Sequence, residues 1–309
     1  MSMHGLVTKN TGSWYQVKTE EGQFIDCKIK GNLRLRDIKS TNPIAVGDNV
    51  EFILGSDGIG FISDIHDRKN FLVRRSSNLS KKTHILASNL DLVGLIVTLR
   101  FPETSTTFID RFLATAEAYS IPGCIVINKI DLFDEKDLAY AHALKQLYES
   151  LDYPVFLISA FDKNSVNELV DFLKNKTTLI SGNSGVGKST LINTILPEQA
   201  IRTAAISSYH NKGMHTTTFS EMFQLEGGGY LIDTPGIKGF GTVDMDQNEV
   251  GHFFKEIFYH SKNCRFANCT HLQEPGCAVQ QAVKDHLISQ SRYESFLSIL
   301  TDSDAGKYR

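Results

Sequence analysis

Residues 177–193 read TTLISGNSGVGKSTLIN. An apolar, β-branched run, Thr178-Leu179-Ile180, enters Gly182-Asn183-Ser184-Gly185-Val186-Gly187-Lys188-Ser189-Thr190, after which Leu191, Ile192 and Ile195 recur at helical spacing. Phosphate chemistry at G-x-x-x-x-G-K-S requires that order of strand, loop and helix. The glycines allow backbone geometry closed to other residues, so successive N–H groups can turn inward around a polyphosphate. Lys188 would place its charge at the β- and γ-phosphates, Ser189 would ligate Mg²⁺, and the helix N-terminus would add its positive dipole end.

Three further short motifs fall at the ends of predicted strands, where open α/β sheets bind ligands. Asn128-Lys129-Ile130-Asp131 follows the strand Cys124 to Ile127 and has the N-K-x-D pattern of guanine recognition. A carboxylate at Asp131 accepts from both N1–H and the 2-amino group of guanine, two donors that adenine lacks. Ser159-Ala160 follows the next strand and would close the base pocket with backbone N–H. Asp233-Thr234-Pro235-Gly236 is a D-x-x-G pattern, with Asp233 toward Mg²⁺ through water and Gly236 toward the γ-phosphate. Each motif is short, but all four at strand ends predict one GTP/GDP site. An ATP-dependent kinase or synthetase is the competing reading of the phosphate loop, and Asp131 argues against it.

The elements that position these residues follow from pattern. From Leu90 onward buried strands alternate with amphipathic helices, the signature of a parallel α/β sheet. Strands are expected at Leu92 to Leu99, Cys124 to Ile127, Val155 to Ile158, the run before Gly182, Phe219 to Leu225 and Tyr230 to Ile232. Helices are expected at Thr107 to Tyr119, Glu135 to Glu149 and Val166 to Lys174. Residues 1 to about 75 read instead as short alternating strands with turns at Thr11-Gly12-Ser13, Glu21-Gly22 and Ser56-Asp57-Gly58, which predicts an OB-like β-barrel. At its end, Arg68, Lys69, Arg74, Arg75, Lys81 and Lys82 stand against one acid, Asp67, a segment suited to RNA phosphates or simply to solvent. Asn32 to Arg36 is a second basic candidate.

Beyond about Thr242 the chain is mainly helical, with helices expected over Asn248 to Phe258, Ala278 to Ser289 and Tyr293 to Leu300. Between the first two, Cys264, Cys269, His271 and Cys277 follow C-x4-C-x-H-x5-C, three thiolates and one imidazole, a tetrahedral set for structural Zn²⁺ with no position left open. Cys27 and Cys124 have no neighbour of metal-binding type in sequence and read as small core fillers.

Composition bounds the rest. A net charge of −3 and pI near 6.4 exert no global pull on nucleic acid, so an RNA partner must meet a local basic patch. No signal peptide opens the chain and no run reaches ~18 apolar residues, which predicts a cytoplasmic protein without a membrane span.

The guanine motifs precede the phosphate motifs, the reverse of the order in Ras-like GTPases. With the β module before and the Cys/His segment after, the chain resembles a family of circularly permuted bacterial GTPases, the RsgA or YjeQ family, across essentially its whole length, including Gly213-Met214-His215-Thr216-Thr217-Thr218. The resemblance implies a three-part protein: a barrel at 1–75, a permuted GTPase domain at 76–241 and a zinc-binding helical domain at 242–309. It implies late maturation of the 30S ribosomal subunit by a monomer, contact with 16S rRNA, hydrolysis stimulated by the subunit, and Zn²⁺ at the four Cys/His positions. Switch I would lie between Ser207 and Thr218, with Thr216 or Thr217 on Mg²⁺. Ile237 stands where Ras-like enzymes keep a water-orienting glutamine, so another residue must orient the water; His215 is the first candidate and His84 the second. If neither did, the chain would be a non-hydrolysing RNA-binding module.

Overall fold

The computed structural model describes residues 2–30, 43–75, 83–197, 220–233, 245 and 248–304. The first five strands are β1 (Ser2–Asn10), β2 (Tyr15–Thr19), β3 (Phe24–Ile29), β4 (Asn49–Leu54) and β5 (Gly60–Ile65). Their order is β1-β2-β3-β5-β4, and β1 pairs again with β4 to close the ring. Only β3 and β5 run parallel, the arrangement of an OB barrel. Alternation drives it: in β2, Tyr15, Val17 and Thr19 point inward while Gln16 and Lys18 are partly exposed. The barrel core is Val7, Tyr15, Val17, Cys27, Ile44, Val50, Phe52 and Ile62. Cys27 and, in the α/β core, Cys124 are buried, and burial pushes both thiols up to about 12, as fits packing residues.

The basic stretch spans two paired strands, β6 (Phe71–Arg75) and β7 (Thr83–Ser88), of which the sequence reading missed the second. Arg68 is also not a surface charge. Its Nε and Nη2 donate to the two carboxylate oxygens of fully buried Asp48, each at 2.6 Å, and Ser88 Oγ donates to the same carboxylate. Lys69 pairs with Asp91, whereas the side chains of Arg74 and Arg75 and all of Asn32 to Arg36, Lys81 and Lys82 lie outside the described residues. At Gly47 the chain passes so close to β7 that a Cβ would sit 2.2 Å from the Ser88 carbonyl oxygen, and φ is +94°.

The second half builds β8 (Leu92–Val97), β9 (Gly123–Ile127), β10 (Val155–Leu157), β11 (Thr177–Gly182), β12 (Glu221–Gln224) and β13 (Tyr230–Asp233). Their order is β10-β9-β8-β11-β13-β12. Five strands are parallel and buried as continuous apolar runs; β12 is antiparallel to β13 and joined to it by a turn through Gly227, Gly228 and Gly229, so strand and helix do not alternate there as expected. Helices α1 (Thr106–Ala118) and α2 (Glu135–Glu149) cover one face, α3 (Lys163–Leu173) and α4 (Lys188–Ile195) the other. Side chains of Ser105, Asp134 and Asp162 cap α1, α2 and α3; the Asp162 cap starts α3 a turn earlier than its apolar spacing indicated.

The remaining chain forms a 3₁₀ turn (Val250–Phe253), then α5 (Lys255–Ser261), α6 (Ala278–Lys284) and α7 (Gln290–Asp304). The single helix expected over Asn248 to Phe258 is broken at Phe254, whose backbone is extended. Helix α7 packs on α1, and Ala114 of α1 belongs to the same apolar core as Val250, Phe254, Ile257 and Phe296. No described helix is long and apolar enough to cross a membrane.

Candidate functional site

Strand β11, central in the sheet, delivers Gly182 to the loop, and α4 leaves it at Lys188. Asn183, Ser184 and Gly185 are exposed, while Val186 is fully buried in the core beneath and anchors the loop. Gly185 and Gly187 have φ of +88° and +90°, and a Cβ on Gly187 would stand 2.4 Å from Asn128 Nδ2. Both conditions demand glycine.

Asn128, at the end of β9, is buried and uses both arms of its amide. Nδ2 donates to the Val186 carbonyl oxygen at 2.9 Å, and Oδ1 accepts from the Ala160 N–H at 3.0 Å. One side chain therefore ties the phosphate loop, the N-K-x-D turn and the Ser159-Ala160 segment together. Lys129 reaches across with φ of +68°, its Nζ donating to the carbonyl oxygens of Gly185 and Phe101, both at 2.6 Å. The turn Ile130–Leu132 is pinned to the end of β10 by Ile130 N–H donating to Ile158 O, and leaves Asp131 exposed. Ser159 and Ala160 are buried, and Thr194 Oγ1 of α4 donates to Ala160 O at 2.7 Å.

At the other end of the loop, Ile180 of β11 is register partner of Asp233 on β13, and Lys188 Nζ donates to Asp233 Oδ1 in an ion pair. Ser189 is exposed and Thr190 half-buried in the first turn of α4. The structure thus brings together Asn128, Lys129, Asp131, Ser159, Ala160, residues 182–190 and Asp233. His215, Thr216, Thr217, Gly236 and Ile237 lie outside the described residues, as does the His84 side chain. Sequence reasoning missed the loop after β8: Phe101, 78% exposed at φ +52°, lends its carbonyl to Lys129, and Pro102 abuts Gly185. No local pattern announces that contact.

The Cys/His cluster is a separate site. Cys264 Sγ and Cys277 Sγ are 4.0 Å apart, and His271 Nδ1 is 3.6 and 3.5 Å from them; all four ligand atoms, with Cys269, lie within 4.8 Å of one another. Tetrahedral zinc places such atoms about 3.5–3.8 Å apart. The sulfurs are too far apart for a disulfide. Burial and the neighbouring thiols push the Cys269 thiol up to about 12, so three sulfurs gathered here need a cation to ionise. The loop is shaped for the purpose: His271 has φ of +62°, its carbonyl accepts from Tyr293 Oη at 2.6 Å, and Glu274 Oε atoms accept from the backbone N–H of Thr270, Leu272 and Gln273. The donor set and spacing fit Zn²⁺.

A central phosphate-loop strand, a guanine-type turn two strands away and a β-barrel inserted ahead of both define a circularly permuted P-loop GTPase. The chain belongs to the RsgA GTPase family, whose profile matches residues 65–243, with the RsgA N-terminal domain matching residues 4–62. It is 63% identical over 307 residues to the small ribosomal subunit biogenesis GTPase RsgA of Phocaeicola vulgatus and 62% identical to that of Bacteroides fragilis, covering 99% of each chain in both pairs. Among solved structures it is similar to YjeQ from Thermotoga maritima (TM-score 0.81, 35% identity, 99% of this chain and 100% of that one). It is also similar to YloQ, described as a circularly permuted GTPase (TM-score 0.77, 30% identity, 100% and 97%). The protein is a GTPase, an enzyme that hydrolyses GTP.

Proposed function

We propose that this GTPase binds the small ribosomal subunit and assists its late maturation, with GTP hydrolysis stimulated by the subunit. The observation that carries the site assignment is the double tether of Asn128, which holds the phosphate loop against the guanine-type turn. Guanine then lies against Asp131, with the Ser159-Ala160 backbone beside it, and the phosphates lie in the cradle of residues 182–190. Asn128, Lys129 and Ile130 shape the base side. Lys188 turns from Asp233 to the β- and γ-phosphates when nucleotide enters, since the phosphates offer it the larger negative charge.

Hydrolysis is attack of water on the γ-phosphorus, giving GDP and phosphate, with stabilisation of charge on the phosphate oxygens as the main contribution of the protein. Ser189 and Thr216 or Thr217 would hold Mg²⁺, with Asp233 acting through water and Gly236 at the γ-phosphate, and the ion would add charge stabilisation at the phosphates. Because Ile237 has no group to orient the water, we assign that task to His215 in the family's switch region, its action completed on the subunit. The three parts act at 1–75, 76–241 and 242–309: the barrel contacts 16S rRNA, the permuted domain turns over GTP, and the helical part, with one structural Zn²⁺, gives a second rigid surface. The protein works as a cytoplasmic monomer on the 30S subunit. The names of its relatives support the ribosomal role.

GTP turnover measured with 30S subunits, 50S subunits or neither tests the reading. Stimulation by 30S alone is expected, and Lys188→Ala should lower the stimulated rate by roughly 100-fold or more. Equal rates in all three conditions would contradict it.

A further inference from the structure

A second cluster of ligand-type side chains has no part in the function proposed above. His4 lies on β1, Glu51 on β4, and His66 one residue beyond β5. His4 and Glu51 are direct cross-strand partners in the antiparallel β1–β4 pair, so their side chains leave the barrel wall on the same side. His66 is brought to them by its backbone N–H, which donates to Asn49 O at 2.9 Å. The two imidazole rings meet edge to face with centroids 5.5 Å apart, and His66 Nε2 is 3.8 Å from Glu51 Oε1. Ser2 Oγ donates to the other carboxylate oxygen, Oε2, at 3.2 Å, which leaves Oε1 to the histidines. One ligand atom from each of the three residues lies within 4.8 Å of the other two.

We infer that His4, Glu51 and His66 form a binding site for a zinc-class divalent ion on the outer wall of the barrel, with one coordination position open to solvent. Two imidazoles and a carboxylate suit Zn²⁺ and its borderline neighbours, whereas Mg²⁺ and Ca²⁺ favour all-oxygen sets. Three protein ligands make an open site, unlike the closed Cys/His cluster. Tetrahedral bonds of about 2.0–2.1 Å set ligand atoms about 3.3–3.4 Å apart, so a small contraction suffices. The side chains of His66 and Glu51 are 44% and 37% exposed and free enough to make it by rotation.

The cluster opens onto a cleft that gives an ion access. His4 and His66 line a cleft of about 580 Å³ between the barrel and the sheet, shared with Glu20, Lys18 and Tyr230. Glu20 adds negative charge at its wall. Lys18 sets one positive charge against it on the same wall, its ammonium donating to Gln224 Oε1 at 2.6 Å and Tyr230 Oη at 3.2 Å. An ion here staples β1, β4 and the end of β5 beside the junction where β1 meets the GTPase sheet at Lys9 and Glu221.

The test counts metal on the whole protein, carrying a short N-terminal extension so that the terminal amine is no ligand, with the Cys/His cluster already zinc-loaded. Titration with further Zn²⁺ against a chromophoric chelator should add one ion, two per chain in all, and His66→Ala should stop at the first. Glu51→Gln should weaken the second ion by roughly tenfold or more. Co²⁺ added to the same zinc-loaded protein should show visible ligand-field bands without the near-ultraviolet thiolate band. Intrinsic GTP turnover, which these residues do not touch, should be unchanged and shows that the variants are folded. A single ion per chain at about 0.1 mM free zinc, or a second ion retained in a His4→Ala/His66→Ala double variant, would overturn the inference.

Discussion

On one face of the α/β sheet, α7 is fastened to α1 by buried charge; at the edge of the same sheet, the barrel is fastened by exposed polar contacts and by an apolar seam in which Val46 and Leu6 join the sheet's core beside Leu72, Ala87 and Met222. Arg292 of α7 is fully buried, donates to Asp110 of α1 at 2.8 Å and to both carboxylate oxygens of Glu256 on α5 at 2.6 and 3.1 Å, and lies over the Phe254 ring. Tyr148 of α2 donates to the same Asp110 oxygen at 2.8 Å. Burial pushes the Asp110 carboxyl up, against the pull of Arg292, while the two carboxylates hold the guanidinium charged. The barrel instead meets β12 through the register pair Lys9 and Glu221, whose side chains form an ion pair 40% and 38% exposed. Its one buried charge pair among the described residues, Arg68 with Asp48, faces the β6–β7 hairpin rather than the nucleotide-binding half of the sheet. Buried ion pairs tolerate one geometry, and exposed ones are screened and replaceable by water. The comparison teaches that charge locks the helical part to α1, whereas at the barrel's seam the apolar contacts hold and the exposed Lys9–Glu221 pair is replaceable at small cost.

The comparison can be broken most severely at the Cys/His cluster. Stripping its metal or replacing Cys269 with Ser should unfold the segment around α5 and α6, since structural zinc supplies folding energy on the order of 10 kcal/mol; hydrogen exchange over residues 255–304 should rise while the barrel's stays unchanged. Arg292→Ala leaves Asp110 and Glu256 buried without their cation and should cost about 3–5 kcal/mol, read by denaturant unfolding, with loss of protection in α1 as well as α7. Arg68→Ala strands Asp48, although Ala45 N–H and Ser88 still donate to it, and about 2–3 kcal/mol is expected. Lys9→Ala should cost less than about 1 kcal/mol, falling toward zero in high salt. If Lys9→Ala proved as damaging as Arg292→Ala, the two junctions would not differ as described.

Much of this architecture is legible in sequence where the signal is local. α2 occupies the residues that helical periodicity indicates, Glu135–Glu149, and β9 those of the expected apolar strand to within one residue. The four short nucleotide motifs can be read directly, but the hydrogen bonds from Asn128 to Val186 and Ala160 cannot, because they join segments far apart in the chain. Arg68 was misread for the same reason. Its partner, Asp48, lies 20 residues upstream, so a buried arginine looked like one more charge in a basic run. His4, Glu51 and His66 carry no motif at all, and only strand register unites them.

Nucleotide competition on the intact protein, with and without Asp131→Asn, tests the central claim most directly. With Asp131 reading guanine, GDP should displace a bound fluorescent guanine nucleotide and ADP should fail by roughly 100-fold or more, the cost of a carboxylate covered by a base that offers it no donors. The Asn amide, which can donate to the 2-oxo group of xanthine, should then favour XDP over GDP. Equal competition by ADP, or an Asp131→Asn protein that still prefers GDP, would contradict the account.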